Sequence, residues 1–489
     1  MSVRVGQASE ARSFQEAAPD SLENSQLRHN IRHATHVIRD KRGKIVGEMP
    51  DWQQLRDAGS AIKAHVMRNL DFYLEQFEAN VTKAGGHVHW AADADEARTI
   101  IRELIEQHGS KEVIKVKTMT SEEIELNPEL MAHGIAPYET DLAELIIQLG
   151  EGQSSHFVVP ALHINHLQIQ KIFKDKMPLQ EMGISELGEK PPELAEAARR
   201  YLREKFLRVK VGVSGANFAI AETGSLVIVE SEGNGRMCLT LPEVLISVVG
   251  IEKVVPAFQD LEVFFSMLAR SATGERMSPY TSVWTGVNAK DGPKEFHVVL
   301  LDNGRTRVLE DDEGRQALHC IRCAACLNAC PVYGRTGGHA YGAVYAGPIG
   351  AILMPQLQGM EHSQSLPYAS SLCGACYDAC PMQINIPEVL IHLRSQIVQE
   401  KQSHIGGKLS GENLAMQTMR KVFQSETMLR IAHKLARIGQ GPFVDRNVIP
   451  HVPGMKAWTQ TRDLRAIPRQ SFRDWWKERE KAGKSGGRP

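Results

Sequence analysis

The chain has 489 residues, of which 42% are hydrophobic and 24% are charged, and its 57 basic residues nearly balance its 58 acidic ones. This length favours about three domains, and the balanced charge predicts neither a nucleic-acid partner nor attraction to a membrane surface. The N-terminal sequence contains no apolar signal segment, and no run of about 18 apolar residues predicts a membrane span. Cysteine-rich spacing without an export signal favours metal binding over disulfides, so we expect a reducing cytoplasm.

Residues 1–64 are polar and mixed in character, and we interpret them as an N-terminal arm. Hydrophobic residues at helical spacing predict a helix over residues 58–83. Further predicted helices cover residues 95–108, 139–149 and 192–209, and predicted strands cover residues 112–117, 156–160, 211–213, 225–230, 244–249 and 253–255. Strands that alternate with helices indicate an α/β domain with a mostly parallel sheet, which we assign to residues 65–304.

Beyond this domain the character of the sequence changes. Helical segments and Gly-rich turns surround two cysteine runs in residues 305–395, and this pattern predicts a separate, helical domain. Residues 396–489 predict a helical C-terminal region, with a disordered tail from about Lys477 onward because that end is basic and rich in glycine.

The two cysteine runs contain seven of the eight cysteines of the chain. The first run has the spacing C-x2-C-x2-C-x3-C-P and comprises Cys320, Cys323, Cys326 and Cys330, and the second comprises Cys373, Cys376 and Cys380. In bacterial ferredoxins with this signature, three close thiolates bind one cluster and the last cysteine of a run binds the other cluster. Pro331 suits a first helical position, so we expect Cys330 at the start of a helix.

This logic predicts two 4Fe–4S clusters with different ligand sets. The ligands of the first are Cys320, Cys323, Cys326 and Cys380, and those of the second are Cys330, Cys373 and Cys376. The second set is one thiolate short, because Ser370 stands where the repeat requires a cysteine. Three coordinations stay open: a 3Fe–4S cluster, a 4Fe–4S cluster with another fourth ligand, and a cluster with an open iron. The nearby candidates that are not cysteines are Ser370, His362 and His319.

A zinc site is the alternative interpretation of the cysteine runs. Zinc is bound by C-x2-C pairs, but seven cysteines in this order, with a proline after the last cysteine of each run, are typical of iron–sulfur proteins. Cys238 stands apart from both runs, and we predict a buried, unreactive thiol at that position.

A glycine-rich segment dominates the α/β domain. Gly215, Gly224 and Gly233 are expected either to allow close approach to a ligand or to form plain turns. The polar residues Asn217, Glu222 and Thr223 are expected either to line a pocket or to satisfy loop backbone. The residues alone do not decide between these interpretations. The segment contains no G-x-G-x-x-G or P-loop motif, so no nucleotide is predicted.

The segments GANFAIAETGSLV, EGN and GIEKVVP, together with VKTMTSEEIELN, YETDLAE and SSHFVVPALH upstream, resemble the LUD domain of lactate-utilization proteins. The long connection between the cysteine runs is similar to the α-helical ferredoxin domain of succinate dehydrogenase and heterodisulfide reductase subunits. Over residues 65–470 the order of these parts resembles the lactate utilization protein B (LutB) family.

The resemblance implies a NagB/RpiA-like LUD fold and the same two cysteine ligand sets. It also implies that the chain works with a LutA-like cysteine-rich subunit and a LutC-like LUD protein in the oxidation of L-lactate to pyruvate. The leading hypothesis is therefore an electron-transfer subunit of this complex. A second hypothesis makes the LUD pocket the hydroxy-acid dehydrogenase site, with His156, His163 or Glu222 as proton or hydride acceptor. A third hypothesis is a non-enzymatic, redox-sensing scaffold.

Overall fold

The computed structural model describes residues 12–451, 459 and 462–484. The chain divides into two compact units at Ile397–Val398. Within the described residues, no helix combines the length and the apolar character needed to cross a membrane.

The helices of the first unit are α1 Phe14–Glu23, α2 Ser25–Val46, α3 Trp52–Arg68, α4 Leu70–Lys83, α5 Ala94–Gln107, α6 Met119–Glu123, α7 Leu126–Ala132, α8 Leu142–Leu149, α9 His166–Lys176, α10 Pro191–Arg208, α11 Asn234–Thr240, α12 Leu261–Ala272, α13 Arg305–Glu310, α14 Ala325–Ala329, α15 Tyr333–Thr336, α16 Gly347–Gln358, α17 Met360–Ser363, α18 Ala375–Ala379 and α19 Ile386–Ser403, the last of which runs past the division. The 3₁₀ turns of this unit are Ile251–Lys253, Phe258–Asp260, Gly314–His319, His339–Tyr341 and Leu366–Tyr368.

The strands of the first unit are β1 His87–Ala91, β2 Glu112–Lys115, β3 Ala136–Glu139, β4 Val211–Ser214, β5 Phe218–Ile220, β6 Ser225–Glu230, β7 Val244–Gly250, β8 Val254–Val255, β9 Tyr280–Thr285 and β10 Glu295–Leu301. Within residues 87–301, all of which are described, six strands form a parallel sheet in the order β1-β10-β7-β4-β2-β3. β7 is buried along its whole length, as expected for a parallel strand covered on both faces. The predicted α/β character with a mostly parallel sheet is therefore confirmed.

A second sheet carries the glycine-rich segment, in the order β8-β5-β6-β9. β5 and β6 form an antiparallel pair around Gly224, which has a φ of +67°. A Cβ atom at Gly224 would lie 2.4 Å from the backbone nitrogen of Val81 in α4. Gly224 is therefore required both by the turn and by the close approach of a helix.

The N-terminal segment differs from the predicted arm, because α1, α2 and α3 are well-formed helices. Asn24 caps α2 by accepting a hydrogen bond from the backbone N–H of Leu27 at 2.9 Å. Leu27 and Ile31 are buried in the hydrophobic core. The single helix predicted over residues 58–83 is two helices, α3 and α4, which are separated at Asn69.

The strand predicted over residues 156–160 is wrong. His156 turns the chain there, because its Nδ1 accepts hydrogen bonds from the backbone N–H groups of Val158 and Val159 at 3.0 and 3.1 Å. The helix predicted over residues 139–149 begins only at Leu142, where Asp141 provides the cap, and Glu139 ends β3.

Between residues 302 and 403, all of which are described, every regular element is helical. α16 is buried from Gly347 to Leu357 and forms the centre of this region. Cys330 does not begin a helix as predicted, because it has an extended backbone and α15 begins only at Tyr333. The residue before a proline is sterically disfavoured in the helical region, which explains the extended conformation of Cys330 before Pro331.

The second unit contains α20 Ile405–Lys408, α21 Gly411–Gln424, α22 Glu426–Gly439, a 3₁₀ turn Gly441–Phe443, β11 Val448–Ile449, β12 Leu464–Arg465 and α23 Phe472–Lys484. The predicted helical character of this region is confirmed. The disorder predicted from Lys477 is wrong for residues 477–484, because α23 continues to Lys484 and residues 485–489 lie outside the described residues. Ser471 supports the start of α23 by accepting a hydrogen bond from the backbone N–H of Asp474 at 3.1 Å.

Candidate metal centre

The backbone of the first cysteine run curves tightly around one centre, because two of its residues adopt left-handed conformations. Arg322 and Ala324, on either side of Cys323, have φ values of +60° and +59°. The backbone N–H of Arg322 donates a hydrogen bond to Cys320 Sγ at 3.4 Å. Left-handed residues in such a turn direct backbone N–H groups toward one centre, which suits an anionic group.

Four thiols line one cavity in this region, and they belong to Cys320, Cys323, Cys326 and Cys380. The rest of the cavity wall is apolar and includes Ile349, Met382 and Ile384. Burial raises the pKa of Cys323 to about 12 and that of Cys380 to about 11. These thiols therefore require a compensating positive charge to be thiolates, and the iron of a bound cluster provides such a charge.

The other three cysteines of the runs form a second group. Burial, together with the neighbouring thiols of Cys330 and Cys373, raises the pKa of Cys376 to about 12. Cys330 accepts a hydrogen bond at its Sγ from the backbone N–H of Tyr333 at 3.5 Å. Cys373 is exposed whereas Cys376 is buried. The structure thus brings Cys330 together with the second run, although it belongs to the first run in the sequence.

Ser370 occupies the local position in the second run that Cys320 occupies in the first. Leu372 and Gly374, on either side of Cys373, have φ values of +54° and +84°. The hydroxyl of Ser370 accepts a hydrogen bond from the backbone N–H of Leu372 at 3.1 Å, as Cys320 Sγ does from Arg322. The two loops therefore share one backbone arrangement, with an oxygen in place of the first sulfur in the second loop.

The two histidine candidates have other surroundings. His319 is mostly buried, and burial together with the charges of Lys63 and Arg68 lowers its pKa to about 4. His362 Nε2 lies 3.1 Å from a carboxylate oxygen of the neighbouring Glu361.

Buried polar groups beside the cysteines that have no hydrogen-bond partner among the described residues include the hydroxyl of Tyr341 and Nδ2 of Asn328. Burial raises the pKa of Tyr341 well above its ordinary value, and the nearby thiols of Cys330, Cys326 and Cys376 raise it further. Asn328 lies between Cys326 and Cys330, and its Oδ1 is 3.2 Å from His156 Nε2. Unpaired buried donors are costly, and sulfur acceptors of a cluster would satisfy them, so the residues present fit such a group.

A buried charge network joins the first cysteine loop to the carboxyl end of the parallel sheet. Glu252, just after β7, accepts hydrogen bonds from Arg305 at 2.5 Å and from Arg322 at 3.2 Å. Arg305 also contacts Glu123 at 2.8 Å, and Tyr345 donates to Glu123 at 2.7 Å. Burial alone would raise the pKa of Glu252, but the charges of Arg305 and Arg322 hold it at about 2. The loop is therefore anchored to the α/β domain by paired charges.

The candidate acid–base residues of the α/β domain do not form one group, and each has its own local contacts. His156 is fully buried, and burial lowers its pKa to about 4. His163 Nδ1 lies 3.0 Å from Ser155 Oγ. Glu222, at the turn between β5 and β6, accepts a hydrogen bond from the backbone N–H of Phe258 at 3.0 Å.

The other polar residues of the glycine-rich segment satisfy local structure. Asn217 Oδ1 accepts a hydrogen bond from the backbone N–H of Val229 at 2.8 Å, and Thr223 Oγ1 lies 2.7 Å from Ser225 Oγ. Gly233 precedes α11 with a left-handed φ of +82°. Cys238 is fully buried, as predicted, and burial raises its pKa to about 12.

Sequence reasoning missed Arg322, Asn328, Tyr341 and Glu252 as parts of the site. A signal existed for Arg322 and Asn328, because both lie between cysteines of the first run. Glu252 and Tyr341 lie outside both cysteine runs, so only the fold brings them to the cysteine loops.

Three family models match the chain: a LUD domain over residues 74–301, a 4Fe-4S dicluster domain over residues 316–384, and a Lactate utilisation protein B C-terminal domain over residues 393–481. The chain is 42% identical over 486 residues to Lactate utilization protein B of Bacillus velezensis, covering 98% of this chain and 99% of the relative. It is 43% identical over 472 residues to Lactate utilization protein B of Bacillus subtilis, covering 96% of each. A solved DUF162 family protein from Deinococcus radiodurans aligns with a TM-score of 0.27 and 14% identity, covering 47% of this chain and 98% of that chain.

Proposed function

Because the chain belongs to the lactate utilization protein B family, we propose that it takes part in lactate utilization as the iron–sulfur electron-transfer subunit of a complex. The complex oxidises L-lactate to pyruvate and so allows growth on lactate. When bound, 4Fe–4S clusters supply one-electron transfer between a donor and an acceptor.

The observation that carries this proposal is the arrangement of seven cysteines in two groups of different exposure. One group lines a buried, mostly apolar cavity, and the other includes the exposed Cys373. A buried centre beside a centre near the surface suits a relay, because electrons enter or leave a protein where a partner can approach. The Tyr341 hydroxyl and Asn328 Nδ2 have no hydrogen-bond partner among the described residues. They therefore support the presence of anionic groups, as hydrogen-bond acceptors, between the two cysteine runs.

We assign Cys320, Cys323, Cys326 and Cys380 to one 4Fe–4S cluster, and Cys330, Cys373 and Cys376 to a second. The hydroxyl of Ser370 is the fourth donor of the second cluster, because it repeats the local position of Cys320. A hydroxyl binds iron more weakly than a thiolate does. One iron of the second cluster is therefore labile, and its loss leaves a 3Fe–4S cluster.

The alternative in which the LUD pocket is the dehydrogenase site has less support. It requires a free acid–base group, whereas His156, His163 and Glu222 each have a hydrogen bond or a close polar contact in the local structure. The alternative of a redox-sensing scaffold also has less support, because such a scaffold does not require a second group of thiolates near the surface.

The partners in this proposal are a LutA-like cysteine-rich subunit and a LutC-like LUD protein, and the location is the reducing cytoplasm. We retain domain boundaries at 1–64, 65–304, 305–395 and 396–489 as part of the proposal. The parallel sheet flanked by helices supports a NagB/RpiA-like fold for the LUD domain. The helical elements of residues 305–395 support an α-helical ferredoxin type for the iron–sulfur domain.

Low-temperature EPR spectroscopy on the anaerobically purified chain tests the proposal. Spectra are recorded as isolated, after addition of L-lactate, and after addition of dithionite. We expect dithionite to reduce the clusters and L-lactate to reduce them only when the partner subunits are added. Reduction of the chain alone by L-lactate would contradict the relay and locate the dehydrogenase site in this chain.

A further inference from the structure

A group of histidines lies at the amino-terminal edge of the parallel sheet, at the opposite ends of the strands from the first cysteine loop. His297 and Glu295 are at the start of β10, and His87 and His89 are on the neighbouring strand β1. His108 directly follows α5, whose C-terminal end approaches the same edge. Five groups able to bind a metal ion or to support its ligands thus meet at the junction of a helix and two strands.

Three of these groups are spaced like the ligands of one metal ion. His108 Nε2 lies 3.3 Å from Glu295 Oε2, and His297 Nε2 lies 3.5 Å from the same oxygen. All three ligand atoms lie within 4.8 Å of one another. Around a tetrahedral zinc ion with bonds of about 2.0–2.1 Å, neighbouring ligand atoms are about 3.3–3.4 Å apart. Both measured contacts are close to this spacing.

His297 supplies independent support. Only 8% of its side chain is exposed, and its Nε2 has no hydrogen-bond partner among the described residues. Its other ring nitrogen, Nδ1, lies 3.1 Å from Nε2 of His89. Histidines that bind metal usually donate their second N–H to a neighbour, which fixes the ring and directs the free lone pair at the metal. His89 provides such a neighbour, and the ring of His87 stacks on His297 with 5.1 Å between centroids.

We propose that His108, Glu295 and His297 bind one zinc ion, with a water molecule as the fourth ligand. Two imidazole nitrogens and one carboxylate oxygen are a donor set that zinc accepts. The partial exposure of His108 and Glu295, at 26% and 46% of their side chains, leaves room for the water. The ion ties the end of α5 to the start of β10. It is separate from the first cysteine loop, which contacts the carboxyl end of the sheet through the pair of Arg322 with Glu252.

The test measures zinc and iron in the same samples. Full-length, iron-loaded protein is incubated anaerobically with excess Zn²⁺, desalted, and analysed for both metals by mass spectrometry. The variants are His108→Ala and Glu295→Gln, which alter partly exposed residues, and the control is His133→Ala. His133 forms a similar contact with Glu129 at 3.4 Å but lies outside the three-ligand group.

We expect about one zinc ion per chain in the unmodified protein and in the control. In both site variants, we expect most of the zinc to be lost on desalting, because removing even a residue that only supports a ligand lowers metal affinity about tenfold or more. Iron content is expected to stay unchanged in every sample. We also expect zinc to raise the midpoint of thermal unfolding of the unmodified protein but not of His108→Ala, because ligands that bind the folded state stabilise it. Equal zinc content in the site variants and the control, or no zinc in the unmodified protein, would overturn the proposal.

Discussion

The loop that carries Cys323 and the loop that carries Cys373 follow the same backbone path, because in each loop the residues on both sides of that cysteine have a positive φ. Their side chains differ at equivalent positions. Arg322 in the first loop is buried and paired with Glu252, whereas its counterpart in the second loop, Leu372, is 37% exposed. The first loop is anchored in the protein interior and the second lies at the surface. One backbone arrangement therefore occurs in two different environments.

The two loops also differ in one side chain, because Ser370 in the second loop stands at the position of Cys320 in the first. Iron–sulfur potentials depend on ligands, hydrogen bonds to sulfur and solvent exposure. All three differ between the loops, so we expect two centres with unequal potentials and unequal resistance to iron loss.

Cys326→Ser removes a thiolate of the buried group and is expected to have the largest effect. We expect loss or conversion of the first cluster, with up to about half of the iron lost, and an end to lactate-dependent electron flow in the reconstituted complex. Iron analysis and EPR spectroscopy measure the loss of the cluster. Reduction of a redox dye by the reconstituted complex in the presence of L-lactate measures the electron flow. Cys238→Ala is the matched control, because Cys238 is buried outside both runs. Full activity in Cys326→Ser would refute its role as a ligand.

Variants of Ser370 test whether its hydroxyl is the fourth donor of the proposed second cluster. We expect Ser370→Ala to contain about one iron fewer per chain, and Ser370→Cys to retain its iron during brief exposure to air because a thiolate is the stronger ligand. The unmodified protein should then develop the EPR signal of a 3Fe–4S cluster, and Ser370→Cys should not. Ser371→Cys is the control, because it adds a thiol one residue away. Unchanged iron in Ser370→Ala, or identical behaviour of the two cysteine variants, would contradict the assignment.

Glu252→Gln tests the anchor of the first loop. Removing one partner of a buried ion pair costs about 3–5 kcal/mol, so we expect a large fall in the midpoint of thermal unfolding at pH 7. The folded-state pKa of Glu252 is about 2, below its ordinary value of 4.5. Its stabilisation, about 3 kcal/mol on this basis, is therefore present above about pH 4.5 and is lost as the pH falls toward 2.

The difference in unfolding midpoint between Glu252→Gln and the unmodified protein should accordingly shrink as the pH is lowered through this range. Glu243→Gln is the control, because Glu243 pairs with Lys210 and Lys294 on the surface and such pairs contribute little. A difference that stays constant between pH 7 and pH 3 would contradict the role of the Glu252 charge.

The extent to which the sequence predicts this molecule depends on the range of the interactions involved. Apolar, β-branched runs are sufficient to predict β4 and β7, because burial on both faces leaves a local signature. The N-terminal helices were missed because α2 is mostly polar and buries only a few residues such as Leu27 and Ile31. The turn at residues 156–160 depends on a side chain that accepts backbone hydrogen bonds, which residue type alone does not show.

How far the sequence predicts the candidate site also depends on the range of the interactions. The spacing of the cysteines predicts two ligand groups, because a short loop limits where successive thiols can point, and the role of these thiols as cluster ligands stays a prediction. The equivalence of Ser370 and Cys320 became specific only with the φ values of Leu372 and Gly374. The contacts of Glu252 with Arg305 and Arg322 join residues more than fifty positions apart, and no local pattern contains them.

Tyr341→Phe is expected to have the smallest effect and to distinguish hydrogen bonding from simple burial. The hydroxyl of Tyr341 is buried, lacks a partner among the described residues, and lies near thiols of both groups. A hydrogen bond to sulfur stabilises the reduced, more negative cluster, so its loss should make a midpoint potential more negative. A net hydrogen-bond energy of about 0.5–1.5 kcal/mol corresponds to about 20–60 mV for one electron.

Redox titration followed by EPR spectroscopy measures the shift caused by Tyr341→Phe. Tyr333→Phe is the matched control, because the Tyr333 hydroxyl already donates a hydrogen bond to the carbonyl oxygen of Ser155 at 2.6 Å. That control should lower stability and leave both potentials in place. Equal shifts in the two variants would mean that packing around the aromatic ring, and not the hydroxyl of Tyr341, sets the potential.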